Sequence, residues 1–110
     1  MPYTRCAYFE GDVAPENQER FNNFIDEEVV PIMRTFPGLR QLRIYRPVWR
    51  EEGALNLYQQ FELTFDSEED IEQFLASEER QANKDKLDQI LPLFDGQIKH
   101  VNHRVDHEYT

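Results

Sequence analysis

Apolar side chains recur at helical spacing between Phe21 and Leu39. The periodic positions are Phe21, Ile25, Val29, Ile32 and Phe36, and Phe24 and Met33 widen the apolar face. Spacings of three and four residues are typical of an amphipathic helix that covers a core. Pro31 lies inside the pattern, where a proline removes one backbone donor and clashes with the preceding turn, at a cost of about 3 kcal/mol. We therefore predict one helix that is kinked at Pro31 and ends at Pro37-Gly38.

Segments rich in strand-forming residues, with alternating faces where the pattern is clearest, predict a sheet around this helix. We predict strands over residues 3–9, 39–46, 57–65 and 97–105. Glu10-Gly11-Asp12 is predicted to break the first strand, and Asp95-Gly96 to turn the chain into the last. In the third strand, one face carries Phe61, Leu63 and Phe65, and the other carries Tyr58, Gln60, Glu62 and Thr64.

A second helical region follows the third strand. Ser67 is a predicted helix cap, with Asp70 three residues further on, and a break is predicted near Ser77 before a second piece that runs toward Pro92. The order β-α-β-β-α-β predicts an α+β fold, the ferredoxin-like sandwich, in which helices cover one face of a four-stranded antiparallel sheet. We expect residues 1–110 to form a single domain whose other sheet face meets solvent or a partner.

Composition narrows the classes of partner. The formal net charge of −10 argues against nucleic acid and against anionic membrane surfaces, because both attract a basic face. The single Cys6 excludes an internal disulfide and a cysteine zinc site, and its apolar strand predicts a small core residue. The chain has neither a cationic and apolar signal segment nor an apolar run of about 18 residues, which predicts a cytoplasmic protein.

Two segments resemble a known family. The run F-x-x-F-I-x-x-x-V-V-P-I-M-x-x-F-P-G-L over residues 21–39 resembles the helix signature of EthD-like proteins, and residues 65–82 are similar to their second helix. These proteins belong to the dimeric α/β-barrel superfamily. The resemblance implies a homodimer in which two open sheet faces form a barrel, and a pocket in each subunit between the sheet and its own helices. It also implies a small hydrophobic, often aromatic ligand. The superfamily includes cofactor-free monooxygenases and isomerases.

One position departs from the family pattern. EthD-like helices usually carry a histidine two positions before the helix proline, and this chain has Val29 there. Acid–base chemistry or polar anchoring by that histidine is therefore absent from the helix. The departure favours a non-catalytic ligand-binding or stress-associated dimer, or a divergent activity.

Three histidines near the C-terminus are the candidate bases and metal ligands. His100 and His103 point to opposite faces of a strand, and His103 and His107 stand about 13 Å apart at strand rise, so we predict no metal site. His103 is in phase with Val101 and Val105, which predicts a position on the helix-facing side as a general base. The alternative is a partly buried histidine bonded to a carbonyl or a tyrosine. A register slip of one residue would replace it by His100.

Other polar and aromatic residues each have two interpretations. Arg5 and Arg43 either bind a carboxylate or enolate in a pocket, or reach solvent or an acidic neighbour. Tyr8 and Tyr58 either line a cavity or fill the dimer interface. Trp49, in the long connection between the second and third strands, either covers a pocket or anchors the partner subunit.

Three functional hypotheses remain open. The first is a cofactor-free monooxygenase or isomerase that uses His103 as its base and needs no metal. Its substrate would lie against Phe24, Val29, Met33, Phe61 and Leu63. The second is a carrier with the same pocket and no chemistry. The third is a dimer whose cavity is filled by its own phenylalanines.

Overall fold

The computed structural model describes residues 1–110 and shows helices covering one face of an open sheet. Its elements are β1 (Tyr3–Val13), α1 (Pro15–Phe24), a π-helical turn (Ile25–Val29), α2 (Val30–Met33), β2 (Gln41–Tyr45), β3 (Leu57–Phe65), α3 (Glu68–Leu75), α4 (Glu78–Asp88), a 3-10 turn (Leu91–Leu93) and β4 (Phe94–Arg104). The strand order is β2-β3-β1-β4, and all neighbours are antiparallel. The predicted α+β, ferredoxin-like sandwich is confirmed.

The core lies between the sheet and the helices. Its largest side chains without exposed surface include Phe9 and Phe65 from the sheet and Phe21 and Ile25 from the helical layer. The Phe9 ring meets Phe21 and Phe61 edge to face, with centroids 6.5 and 5.2 Å apart. This arrangement suits the electrostatics of aromatic rings. A second group of contacting rings is formed by Phe36, Phe65 and Phe74.

The segment predicted as one kinked helix is helical without interruption through α1, the π-helical turn and α2. After α1, the N–H of Val30 donates to the carbonyl of Ile25, five residues earlier, which closes the π-helical turn. Pro31 then lies in the first turn of α2, where a missing N–H and a fixed φ are tolerated. The predicted helix through Pro31 is confirmed, and the π-helical turn next to Pro31 accommodates the proline within it.

β1 and β4 are longer than predicted, and two glycines explain the difference. Gly11 pairs with Gly96 inside the ladder, so neither glycine breaks its strand. A Cβ atom on Gly11 would collide with the carbonyl oxygen of Asp95, and one on Gly96 with the carbonyl oxygen of Glu10. The two backbones approach closely because neither residue has a side chain.

Serine caps mark the second helical region as predicted. Ser67 Oγ accepts a hydrogen bond from the Asp70 N–H at 3.1 Å, and Ser77 Oγ accepts one from the Arg80 N–H at 3.1 Å. Ser77 therefore ends α3 and begins α4, as its position suggested. None of the helices combines the length and the apolar character that a membrane span requires.

A bulge in the ladder between β1 and β3 changes the direction of one side chain. The register shifts between Phe9 and Glu10, opposite Tyr58. The Tyr58 hydroxyl donates to Asn22 Oδ1 of α1 at 2.7 Å, and its ring packs edge-on against Phe21. The prediction that Tyr58 shares the outer face was wrong, because a bulge interrupts strict alternation.

Candidate functional site

A cavity of about 210 Å³ lies between the sheet and the helical layer. Ten of its sixteen lining residues are hydrophobic, among them Phe9, Met33, Phe36, Phe61, Leu63 and Leu87. Typical ligand pockets measure about 300–1,000 Å³, whereas an apolar cavity of about 150 Å³ holds benzene. The space therefore suits a ligand built on a single small ring system.

The predicted substrate-binding residues divide into two groups. Met33, Phe61 and Leu63 line the cavity. Val29 is buried in the core without lining the cavity, and Phe24 is a partly buried residue packed against that core. Their predicted place at the cavity was wrong, because the cavity lies where Met33 and α4 meet the sheet, and Val29 and Phe24 precede that end of the helical segment.

The histidine of this cavity is His100. It pairs with Ala7 of β1, which is buried on the helix-facing side, and both residues line the cavity. Burial is the largest cause that lowers the pKa of His100, and the positive charges of Arg5 and Arg80 lower it further. The imidazole is consequently neutral at pH 7, which is the form that accepts a proton.

His103 lies on the opposite face of the sheet. It pairs with Thr4, and its Nε2 lies 3.4 Å from the hydroxyl oxygen of Tyr8. The predicted helix-facing position was wrong, because the apolar Val101 that set the phase is itself 44% exposed on the open face. The catalytic role assigned to His103 depended on that position, so it does not extend to this cavity.

Two arginines give the cavity a cationic region. Arg5 Nη1 donates to Asn102 Oδ1 at 3.0 Å, and Arg80 Nη1 donates to the carbonyl oxygen of Leu75 at 3.4 Å. Neither guanidinium belongs to any of the four ion pairs of the protein. Burial, followed by the charge of Arg80, lowers the pKa of Arg5.

α4 contributes polar groups that the sequence interpretation missed. Four residues of α4 recur at the three- and four-residue spacing of a helix face that packs on a core. All four line the cavity: Arg80, Asn83, Lys84 and Leu87. Asn83 Oδ1 is buried and has no hydrogen-bond partner. The available signal was a helix with polar residues at core spacing, which indicates a site rather than a packed core.

The remaining candidates lie away from the cavity. Arg43 pairs with Glu62 across the ladder on the open face, and Trp49 is 79% exposed in the connection between β2 and β3. Neither residue lines the cavity. No group of three or more His, Cys, Asp or Glu side chains is arranged to hold a metal ion.

Solved structures share this fold. An EthD family protein from Bacillus halodurans C-125 is 20% identical, with a TM-score of 0.77 over 96% of this chain and 99% of its own. A dimeric ferredoxin-like protein of unknown function from Bacteroides fragilis is 15% identical, with a TM-score of 0.67 over 94% and 96%. SnoaB, a cofactor-independent oxygenase from Streptomyces nogalater, is 13% identical, with a TM-score of 0.63 over 97% and 95%.

At these identities the similarity is one of fold. The EthD-like, ferredoxin-like fold implied by the residue patterns is confirmed. The sequence itself matches no family profile and no curated protein.

Proposed function

We propose that residues 1–110 form one subunit of an EthD-like dimeric α/β barrel that binds a small ring-bearing molecule and transforms it without a metal or redox cofactor. The observation that carries the proposal is a neutral His100 in the wall of a mainly apolar cavity. An apolar cavity with a few convergent polar groups and a perturbed histidine is the expected form of a small-molecule site.

The proposed chemistry begins with proton transfer. His100 would take a proton from an acidic C–H or O–H of the substrate, and the guanidinium groups of Arg5 and Arg80 would stabilise the anion that forms. Return of the proton to another atom gives an isomer, whereas reaction of the anion with dioxygen gives an oxygenated product. His100 takes the place that the sequence hypothesis gave to His103.

The second candidate function is a carrier that binds the same molecule and does no chemistry. It is favoured by Val29, which occupies the position of the histidine usual in EthD-like helices and is fully buried in the core. The sequence interpretation in which phenylalanines fill the cavity is less favoured, since about 210 Å³ remains open beside them.

The dimer is proposed from the uncovered side of the sheet. Tyr45 and Val101 on this face are 40% and 44% exposed, and Val48, Trp49 and Leu55 of the neighbouring connection are more exposed still. Exposed apolar groups of this kind mark association surfaces. The interface interpretation of Trp49 is therefore preferred over the lid.

The decisive experiment is a paired substitution on β4. A panel of one-ring compounds is first screened for binding by ligand-observed NMR, and the binders are then assayed for turnover by mass spectrometry. His100→Gln should abolish turnover while binding persists, because the base is lost and the cavity walls remain. His103→Gln is the matched control and should retain turnover.

The same experiment separates the hypotheses. Full turnover in the His100→Gln variant would contradict the proposed base. Binding without turnover in the wild-type protein would favour the carrier. Failure of every one-ring compound to bind would contradict the pocket itself.

A further inference from the structure

The cavity contains two guanidinium groups that form no ion pair within the protein. The chain has 22 Asp and Glu residues against 12 Lys and Arg, so acidic partners are abundant. Arg40, Arg46 and Arg104 each pair with an aspartate. Arg5 and Arg80 instead donate to an amide oxygen and a carbonyl oxygen, and no carboxylate lies within ion-pair distance of either.

This arrangement is unfavourable for the protein alone. Removing a charge from water costs free energy unless an opposite charge compensates it, and two like charges that face one site add repulsion. Arg5 and Arg80 are both partly buried, and each lowers the pKa of His100 through its positive charge. An anion bound between them would relieve both costs.

From these observations we infer that the ligand of the cavity is an aromatic or similarly apolar carboxylic acid, bound as its carboxylate by Arg5 and Arg80. The inference rests on the proposed small-molecule pocket and adds the chemical class of the ligand. The planar guanidinium forks match a carboxylate, which accepts paired hydrogen bonds from them. The apolar walls formed by Phe61, Leu63 and Leu87 accept the ring.

Other charged groups around the cavity are consistent with this polarity. Lys84 adds a third cation to the lining, and Asp88 is its one carboxylate. The lining therefore has an excess of positive charge in a protein whose formal net charge is −10. A neutral apolar ligand would form no ion pair with these positive charges, whereas an anionic ligand would.

The test compares an acid with a neutral compound of the same shape. Binding of 4-methylbenzoate and 4-methylbenzamide to the full-length protein is measured by isothermal titration calorimetry at pH 7.5, where the acid is ionised. Hydrogen bonds to charged groups contribute enough to change affinity by about tenfold or more. We expect 4-methylbenzoate to bind at least about tenfold more tightly than the amide.

Variants assign that preference to the two arginines. Arg5→Met and Arg80→Met should each weaken binding of 4-methylbenzoate by about tenfold and leave binding of the amide unchanged. Arg20→Met is the matched control, because it removes the same charge from an exposed position of α1 outside the cavity. It should change neither affinity.

The outcomes distinguish this inference from the proposed function. Equal affinity for acid and amide, or an acid preference that survives in both arginine variants, would overturn the carboxylate class while the pocket stands. Binding of neither compound would overturn both. If a variant fails to fold, the wild-type comparison of acid with amide still decides the carboxylate class, and the arginine variant that folds decides the assignment.

Discussion

Side chains that alternate along β1 meet two different environments on the two faces of the sheet. On the helix-covered face, Phe9 has no exposed surface and contacts other rings on several sides. On the open face, Tyr45 and Val101 of the flanking strands remain 40% and 44% exposed. The covered face supplies the packing that holds the subunit together, and the open face is left for association.

The covered face is itself uneven. Around Phe21 and Phe65 it is closed and apolar, whereas toward His100 it opens into the cavity with its two unpaired arginines. The charged groups of this face occur where packing is incomplete, since burying them in a closed core would cost stability without gain. Core packing and the cavity therefore share apolar residues such as Phe9 and Phe61, while the charged groups lie only at the cavity.

The largest effect should come from breaking the closed part of the covered face. Phe65→Ala removes a fully buried ring and should lower the free energy of unfolding by about 3–5 kcal/mol. The adjacent Thr64→Ala on the open face should lower it by less than about 1 kcal/mol. Urea denaturation at a fixed protein concentration measures both values. Similar losses would mean that the two faces contribute equally.

The second prediction concerns the open face. Val101→Glu would place an uncompensated charge in the proposed interface and should weaken the dimer at least a hundredfold, about 3 kcal/mol. Gln89→Glu adds the same charge at the exposed end of α4 and should leave the dimer intact. Sedimentation velocity reports the oligomeric state. A Val101→Glu dimer as tight as the wild-type dimer would exclude this face as the interface.

A smaller effect is expected at a buried amide. Gln59 has no exposed surface, and neither of its amide atoms has a hydrogen-bond partner. Gln59→Met keeps the shape and removes the desolvated amide, so the free energy of unfolding should rise by about 1–2 kcal/mol. Gln60→Met on the open face serves as control. Loss of stability in Gln59→Met would indicate that the amide has a partner, such as a buried water.

The smallest effect is a pH dependence. Because burial, Arg5 and Arg80 lower the pKa of His100, the unfolded state takes up this proton first as the pH falls below about 6.5. Stability should therefore decrease slightly below that pH, because His100 keeps exposed surface and solvent screens its charge. Thermal unfolding should show a weaker decrease in His100→Gln than in the wild-type protein. An unchanged profile in His100→Gln would contradict the shift.

Local patterns predicted a large part of the fold. The apolar stripe from Phe21 to Phe36 and the alternation around Phe61 led to the correct class and element order. Ser67 and Ser77 correctly marked the starts of two helices. These signals can be read from the sequence because they depend on neighbours within one or two turns.

Features that depend on how a segment packs against another segment of the chain could not be predicted in this way. Gly11 and Gly96 resemble strand breaks when each is considered alone, yet together they let two strands approach. Pro31 indicated an irregular helix, but the π-helical turn that precedes it depends on how the apolar residues on either side must pack.

Three of the five predicted lining residues line the cavity. Which polar side chains join them depends on the tertiary structure. The residues of β4 alternate, but apolar and polar groups occur on both faces, with Ile98 beside His100 and Val101 beside His103. Alternation alone therefore did not decide which face of β4 meets the helices. The pairing of His100 with the buried Ala7 places His100 on that face. Arg5 and Arg80 meet at the cavity across 75 positions of the chain.

The sequence by itself determined which segments are strands and helices, because those preferences are short-range. Only the folded chain determined which side chains share a site, because that depends on register and on contacts between distant segments.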